Sequence, residues 1–335
     1  MSIQQRFISV WCAGLLLAAG SAQARDWVVY EGKQGPGRGK HIVFLTGDEE
    51  YRGEEGLPQL AKVLAVRHGF KCTVLFSIKD GEIDPNTKNN EPGIEALDSA
   101  DLCVMLLRFR EWPNAQMKHF VDYYLAGKPF VALRTSTHAF DYGKDSTSPY
   151  KKFHWQSAEW PGGFGRQVLG ETWVAHHGAH KQEATRGIIE ESAKSHPILR
   201  GVTDIFADTD VYTANPPADA EILVRGQVLT GMKPTDPPVQ GKKNKPMQPV
   251  VWLRQYRNEN GKTNRVLTTT MGAATDLQSE GLRRLLVNGA YWAVGLEQDI
   301  PQVADVAYVG DFHPTMYGFN GGKRGVTPAD HELKN

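Results

Sequence analysis

The chain has 335 residues, 38 of them basic and 38 acidic, and 40% are hydrophobic. That length allows one large α/β domain or two small ones. The charge balance gives no electrostatic case for nucleic acid or for an anionic lipid surface, and beyond residue 24 no run is long and apolar enough to cross a bilayer.

Residues 1–24 read as a signal peptide. Arg6 supplies the positive start, and 7–19 are mostly apolar but short for a membrane span. Ala22-Gln23-Ala24 is a small-x-small cleavage site. Cleavage after Ala24 and a periplasmic or secreted location are expected. Cys12 would leave with the segment. Cys72 and Cys103 remain, both in apolar runs, and are expected as buried free thiols. Two cysteines make neither a disulfide framework nor a zinc-thiolate site.

Residues 25–40 are Gly-rich and read as an N-terminal loop. Next, 41–45 form a short apolar strand. An amphipathic helix spans 58–68, with Leu57, Leu60, Val63 and Leu64 on one face and Gly69 closing it. A second strand covers 71–78, a turn-rich stretch 81–92, and a short helix 94–98. The third strand is 102–107. Pro113 opens a helix through Leu125 that ends at Gly127, and the fourth strand is 130–133. Strands alternating with helices imply right-handed βαβ units. Their unbroken apolar runs fit a parallel sheet buried on both faces.

The second half differs. Residues 140–165 form a long aromatic loop, of a length that is usually functional. Strands are expected at 185–190, 220–229, 250–256 and 265–270, with an exposed insert at 231–247 and a final helix at 279–294 before Gly295. The domain is therefore placed at 41–296. In the tail, 297–335, Tyr308, Phe312, Tyr317 and Phe319 would pin the chain to it.

Chemistry concentrates where apolar strands turn polar. The strand Phe130-Val131-Ala132-Leu133 ends in Arg134, Thr135, Ser136, Thr137 and His138, and the strand 102–107 ends in Arg108. The first strand ends in Gly47-Asp48-Glu49-Glu50-Tyr51-Arg52. In open α/β sheets the carboxyl edge is where ligands bind. His138 is the acid/base candidate, because imidazole titrates nearest neutrality. Arg134, Asp48 and Glu49 complete the catalytic set. Arg108, Arg52, Thr135, Ser136 and Thr137 are candidate substrate contacts. Helix-start capping explains Glu54 and Glu55 without a site role.

Histidines cluster at His176, His177 and His180. On a helix His176 and His180 would share a face as metal ligands do, but Gly178 argues for a loop. His176 and His177 are therefore expected to contact substrate. His176 and His180 are the weak candidates for a divalent metal, and no other cofactor is expected. The elbow has no cysteine nucleophile and no Gly-x-Ser-x-Gly. Gly162-Gly163-Phe164-Gly165 has neither P-loop nor dinucleotide spacing.

Several segments resemble the trehalose-utilization (ThuA-like) family over roughly residues 40–296. They include TGDEEYRGEEGLPQLAKVL, VALRTSTHAF, Ser195-His196-Pro197-Ile198 with Gly201, and residues 206–212, 249–252, 265–272 and 286–295. GGFGRQVLGETWVAHHGAH and PTMYGFNGGKRGVTPAD resemble an exported subgroup. The resemblance implies a flavodoxin-like or class I glutamine amidotransferase-like parallel sheet flanked by helices, with additional strands in the second half. It also implies a small carbohydrate ligand and sugar metabolism, of trehalose or oxidised (keto) disaccharides, by isomerase, lyase or hydrolase chemistry. The alternative it leaves open is a non-catalytic carbohydrate-binding or scaffold protein. Many relatives carry His where Arg134 stands and Gly-His where Gly272-Ala273 stands, and some use such histidines for metal. This chain departs at both places. Nothing in the sequence opposes a homo-oligomer.

Overall fold

The computed structural model describes residues 25–334. The expected signal segment, 1–24, lies outside them. Among the described residues, twelve strands form in chain order: β1 Trp27–Tyr30, β2 His41–Gly47, β3 Lys71–Leu75, β4 Ile78–Lys79, β5 Glu82–Ile83, β6 Leu102–Leu107, β7 Phe130–Leu133, β8 Thr185–Ile189, β9 Phe206–Ala207, β10 Glu221–Val228, β11 Gln248–Arg257 and β12 Thr263–Thr269. Ten of them make one sheet in the order β1-β3-β2-β6-β7-β12-β11-β10-β8-β9, and β4 and β5 form a separate hairpin. The five central strands, β3-β2-β6-β7-β12, are parallel. Counted among themselves they run 2-1-3-4-5, a doubly wound order whose switch point lies between β2 and β6. The strands on either side are antiparallel, so the second half extends the same sheet.

Among the described residues, three α-helices cover the faces: α1 Gly53–His68, α2 Asn114–Leu125 and α3 Glu280–Ala293. Side chains of β2 alternate between two cores. Ile42 and Phe44 pack with α1 and α3, while Val43 and Leu45 pack with α2 and the aromatic loop residues Phe153 and Phe164. Every residue of β6 and β7 is buried, as parallel strands covered on both faces require. Cys72 and Cys103 are buried free thiols. No helix among the described residues is long and apolar enough to cross a membrane.

The structure departs from the sequence reading in several places: the strand expected over 71–78 ends at Leu75, the β4–β5 hairpin follows, and β9 forms at Phe206–Ala207. Residues 27–30, expected as loop, form the edge strand β1 against β3. Helix α1 starts five residues before Pro58. Arg52 takes a left-handed conformation (φ 60°), and its carbonyl accepts from the amides of Glu55 and Gly56. An extra turn therefore forms ahead of the proline, and Glu54 and Glu55 sit at the positive end of the helix dipole.

Glu91 gives a test of buried charge. Its carboxyl is fully enclosed, Oε1 has no partner among the described residues, and burial raises its pKa from 4.5 to about 8 against the opposing Ser77 hydrogen bond and Arg110 charge. A carboxyl raised on folding contributes stability that is lost as pH climbs through its folded value. Glu91→Gln should therefore raise the thermal midpoint relative to wild type by a few degrees near pH 9 and much less near about pH 5. Equal effects at both pH values in scanning calorimetry would contradict the assignment.

Candidate functional site

Three non-glycine residues sit in the left-handed region just past the carboxyl ends of parallel strands: Arg52 after β2, Phe109 after β6 and Arg134 after β7, with φ of 60°, 52° and 39°. Each such conformation costs about 1–3 kcal/mol, and strain of this kind collects at functional sites. The carboxyl edge resolves into two layers.

The inner layer is sealed. Asp48 is fully buried, and its Oδ1 accepts from the backbone amides of Glu50 and Tyr51, each at 2.6 Å, while Oδ2 accepts from the Thr135 hydroxyl. Burial raises its pKa, against the Thr135 hydrogen bond. Arg134 is also fully buried. It donates to the carbonyls of Thr270 (2.7 Å) and Asp210 (3.1 Å), to the Tyr51 hydroxyl (3.1 Å) and to Asp210 Oδ1 (3.0 Å). Its guanidinium lies between the rings of Tyr51 and Tyr212, at 4.2 and 4.1 Å. Burial alone would favour the neutral acid at Asp210, but the Arg134 charge holds that carboxyl below the usual range. Asp48 and Arg134, expected as catalytic, thus brace the edge from beneath. Ser136 is committed as well, donating to the Met105 carbonyl and accepting from the Leu107 amide. Thr137 donates to the Arg134 carbonyl.

The outer layer is a closed ring of side chains that reaches solvent. The His138 ring lies 5.0 Å from Phe109 and 5.9 Å from Trp173. Trp173 lies 5.9 Å from His176, and His176 lies 4.9 Å from His180. His180 Nε2 is 3.4 Å from Glu50 Oε1, and Glu50 Oε2 is 3.9 Å from Arg108 Nε. The Arg108 guanidinium stacks 4.5 Å from Phe109, closing the circuit. Trp155 packs against both Phe109 and Trp173. The His176 and His180 side chains are 37% and 28% exposed, so the ring is open to ligand on that side.

His138 is the most enclosed member. Burial, and then Arg108, Arg134 and His176, push its pKa well below the ordinary imidazole value. Nδ1 contacts the Thr137 hydroxyl at 3.2 Å, and Nε2 has no protein partner among the described residues. It is thus a neutral imidazole with a free lone pair or N–H. Glu49 sits outside the ring, bridging Arg108 (2.5 Å) and the buried Arg110 (3.1 Å) at the switch point.

Two expected contacts lie elsewhere. His177 turns away to the Lys243 carbonyl at 2.8 Å. Arg52 is buried against the tail, bonded to the Gly318 carbonyl, and lines a neighbouring groove of about 430 Å³ between the β4–β5 hairpin and residues 320–325. The tail is held by Tyr317, which stacks on Tyr51 at 5.4 Å, and by Glu55, which accepts from Thr315. Phe319 remains exposed beside Arg108.

Sequence reasoning missed Glu50, Asp210, Tyr51 and Tyr212. Glu50 sat among four acidic neighbours, and only the turn decides which of them faces out. Asp210 lies in a short segment without a local motif, although that segment, 206–212, carries part of the family resemblance.

Fold and edge define a doubly wound α/β protein with a part-exposed polar and aromatic rim at its switch-point side. The trehalose utilisation family profile, ThuA, matches residues 41–293, and the chain belongs to that family. Among solved structures it is similar to a ThuA-like protein from Bacteroides uniformis, with 16% identity over 79% of this chain and 95% of that one and a TM-score of 0.47. A ThuA-like protein from Parabacteroides merdae shows 15% identity over 76% and 90% of the two chains, with a TM-score of 0.47. No curated protein sequence matches the chain.

Proposed function

We propose that the chain is an exported enzyme acting on a sugar or keto-sugar derivative at the outer ring. The observation that carries this reading is the ring itself. One circuit holds a neutral imidazole, a carboxylate, an arginine and aromatic faces, and it opens to solvent. Trp173 and Trp155 offer faces to the apolar side of a pyranose. Arg108 offers paired N–H groups to vicinal hydroxyls or to a carbonyl oxygen. His138 Nε2 is the group free to take or return a proton at the substrate. Isomerisation, elimination and hydrolysis beside a keto group all begin with such a transfer. Glutaminase chemistry does not fit, because the strand-end turn 134–138 carries no cysteine nucleophile, and its serine, Ser136, is already bonded on both sides. Export rests on Arg6, the apolar run and the Ala22-Gln23-Ala24 site.

The test is a panel of trehalose, other disaccharides and their keto forms. Binding is followed by tryptophan fluorescence and conversion by NMR. At least one sugar should quench fluorescence and be converted. Trp173→Ala should weaken its binding about tenfold, the share of an aromatic contact. Binding without conversion would leave a carbohydrate-binding protein and overturn the enzymatic reading.

A further inference from the structure

Three donors stand together on the open side of the ring. The loop residues His176 and His180 flank Gly178, and a bridge between His176 and Tyr212 brings the loop against Asp210. His176 Nδ1 is 2.7 Å from Asp210 Oδ2, and His180 Nδ1 is 3.0 Å from Asp210 Oδ1. One ligand atom from each residue lies within 4.8 Å of the others. Two donors each about 2.1 Å from a tetrahedral ion lie about 3.4 Å apart, so the 2.7 and 3.0 Å contacts need open by only a few tenths of an ångström to seat a small cation.

We propose that His176, His180 and Asp210 form a binding site for a divalent first-row transition-metal ion of the zinc class. Two imidazoles and one carboxylate from the protein leave positions open for water or ligand, as functional sites of this kind do. Without metal, the Nδ1–H groups donate to Asp210. An ion would take both Nδ1 lone pairs, with each ring's proton then carried on Nε2, which at His180 faces Glu50. Arg134 fixes Asp210 from behind, with Tyr51 and Tyr212 on its faces, so the carboxylate is preorganised. The neighbouring Glu50 approaches His180 from the Nε2 side and would stand next to the ion rather than bind it. A bound ion would supply a Lewis acid beside the ring. The site stands apart from the sugar reading, because occupancy is measured without turnover.

The experiment uses untagged full-length protein in chelator-free buffer, titrated with zinc chloride by calorimetry and followed by thermal unfolding. About one zinc per chain should bind with micromolar or tighter affinity, and about 100 µM zinc should raise the unfolding midpoint. Cobalt(II) should give visible d–d absorption that zinc abolishes. His176→Ala/His180→Ala should lose more than about 100-fold in affinity, since outer-shell losses alone reach that range. Both histidines are part-exposed, so this variant should fold; His180→Ala alone, which leaves the Arg134–Asp210 pair intact, is the second variant if it does not. His177→Ala should bind as wild type does, because His177 bonds the Lys243 carbonyl outside the cluster. No zinc binding, or equal binding by wild type and the double variant, would overturn the proposal and leave the histidines as donors to Asp210.

Discussion

Replacing Arg134 with methionine should lower folding stability by about 3–5 kcal/mol. Arg134 is fully buried and makes four hydrogen bonds, one to the enclosed Asp210 carboxylate. Methionine fills the slot between Tyr51 and Tyr212 but leaves Asp210 without its cation. It also leaves the Thr270 carbonyl without that donor. Removing one partner of a buried pair costs the desolvation of the other, and that dominates over the lost attraction. Urea unfolding near neutral pH measures the loss. Adding Asp210→Asn should recover part of it, a positive coupling in the double-mutant cycle. A change below about 1 kcal/mol, the usual worth of a surface pair, would mean that Arg134 is not the brace described.

His138→Asn should reduce kcat on the active sugar by about 10²–10⁴-fold, the usual worth of a general acid or base. KM should change little, because the stacking and arginine contacts come from Trp173, Trp155 and Arg108. A structural role would leave kcat near wild type once the folded fraction is matched. The pH profile separates the two further. Burial and then Arg108 hold the imidazole neutral, so the acid limb due to His138 should lie well below about pH 6.5. Arg108→Gln removes one of the opposing charges and should move that limb upward. A limb that stays in place in Arg108→Gln would argue against His138 as the titrating group.

Much of the fold was legible because parallel strands leave a simple mark. The runs at 102–107 and 130–133 coincide with β6 and β7, whose residues are all buried. The last helix begins at the Ser279 cap and ends one residue before Val294. The start of α1 was not legible, since a left-handed arginine before a glycine has no periodic signature. The edge strand β1 is held by pairing with β3, a long-range contact that local pattern cannot report.

The edge at which the candidate side chains meet was legible, while their arrangement within it was not. Polar residues after apolar strands mark the carboxyl edge, and Arg108, His138 and His176 do meet there. Which of them face solvent depends on the turns. Asp48 folds back to cap its own loop, so Glu50, two residues on, rather than Asp48 reaches the rim. Arg134 turns inward because Asp210 waits there, 76 residues later in the chain. Ring closure depends on residues 173–180 arriving beside strands that they follow only after the long aromatic loop.

The most direct measurement is a crystal structure of the protein soaked with the sugar that it binds best. Density should lie within the ring, stacked on Trp173 and within hydrogen-bond reach of Arg108 and His138 Nε2. Density confined to the groove beside Arg52 and residues 320–325, with the ring unchanged, would contradict the assignment of the functional site.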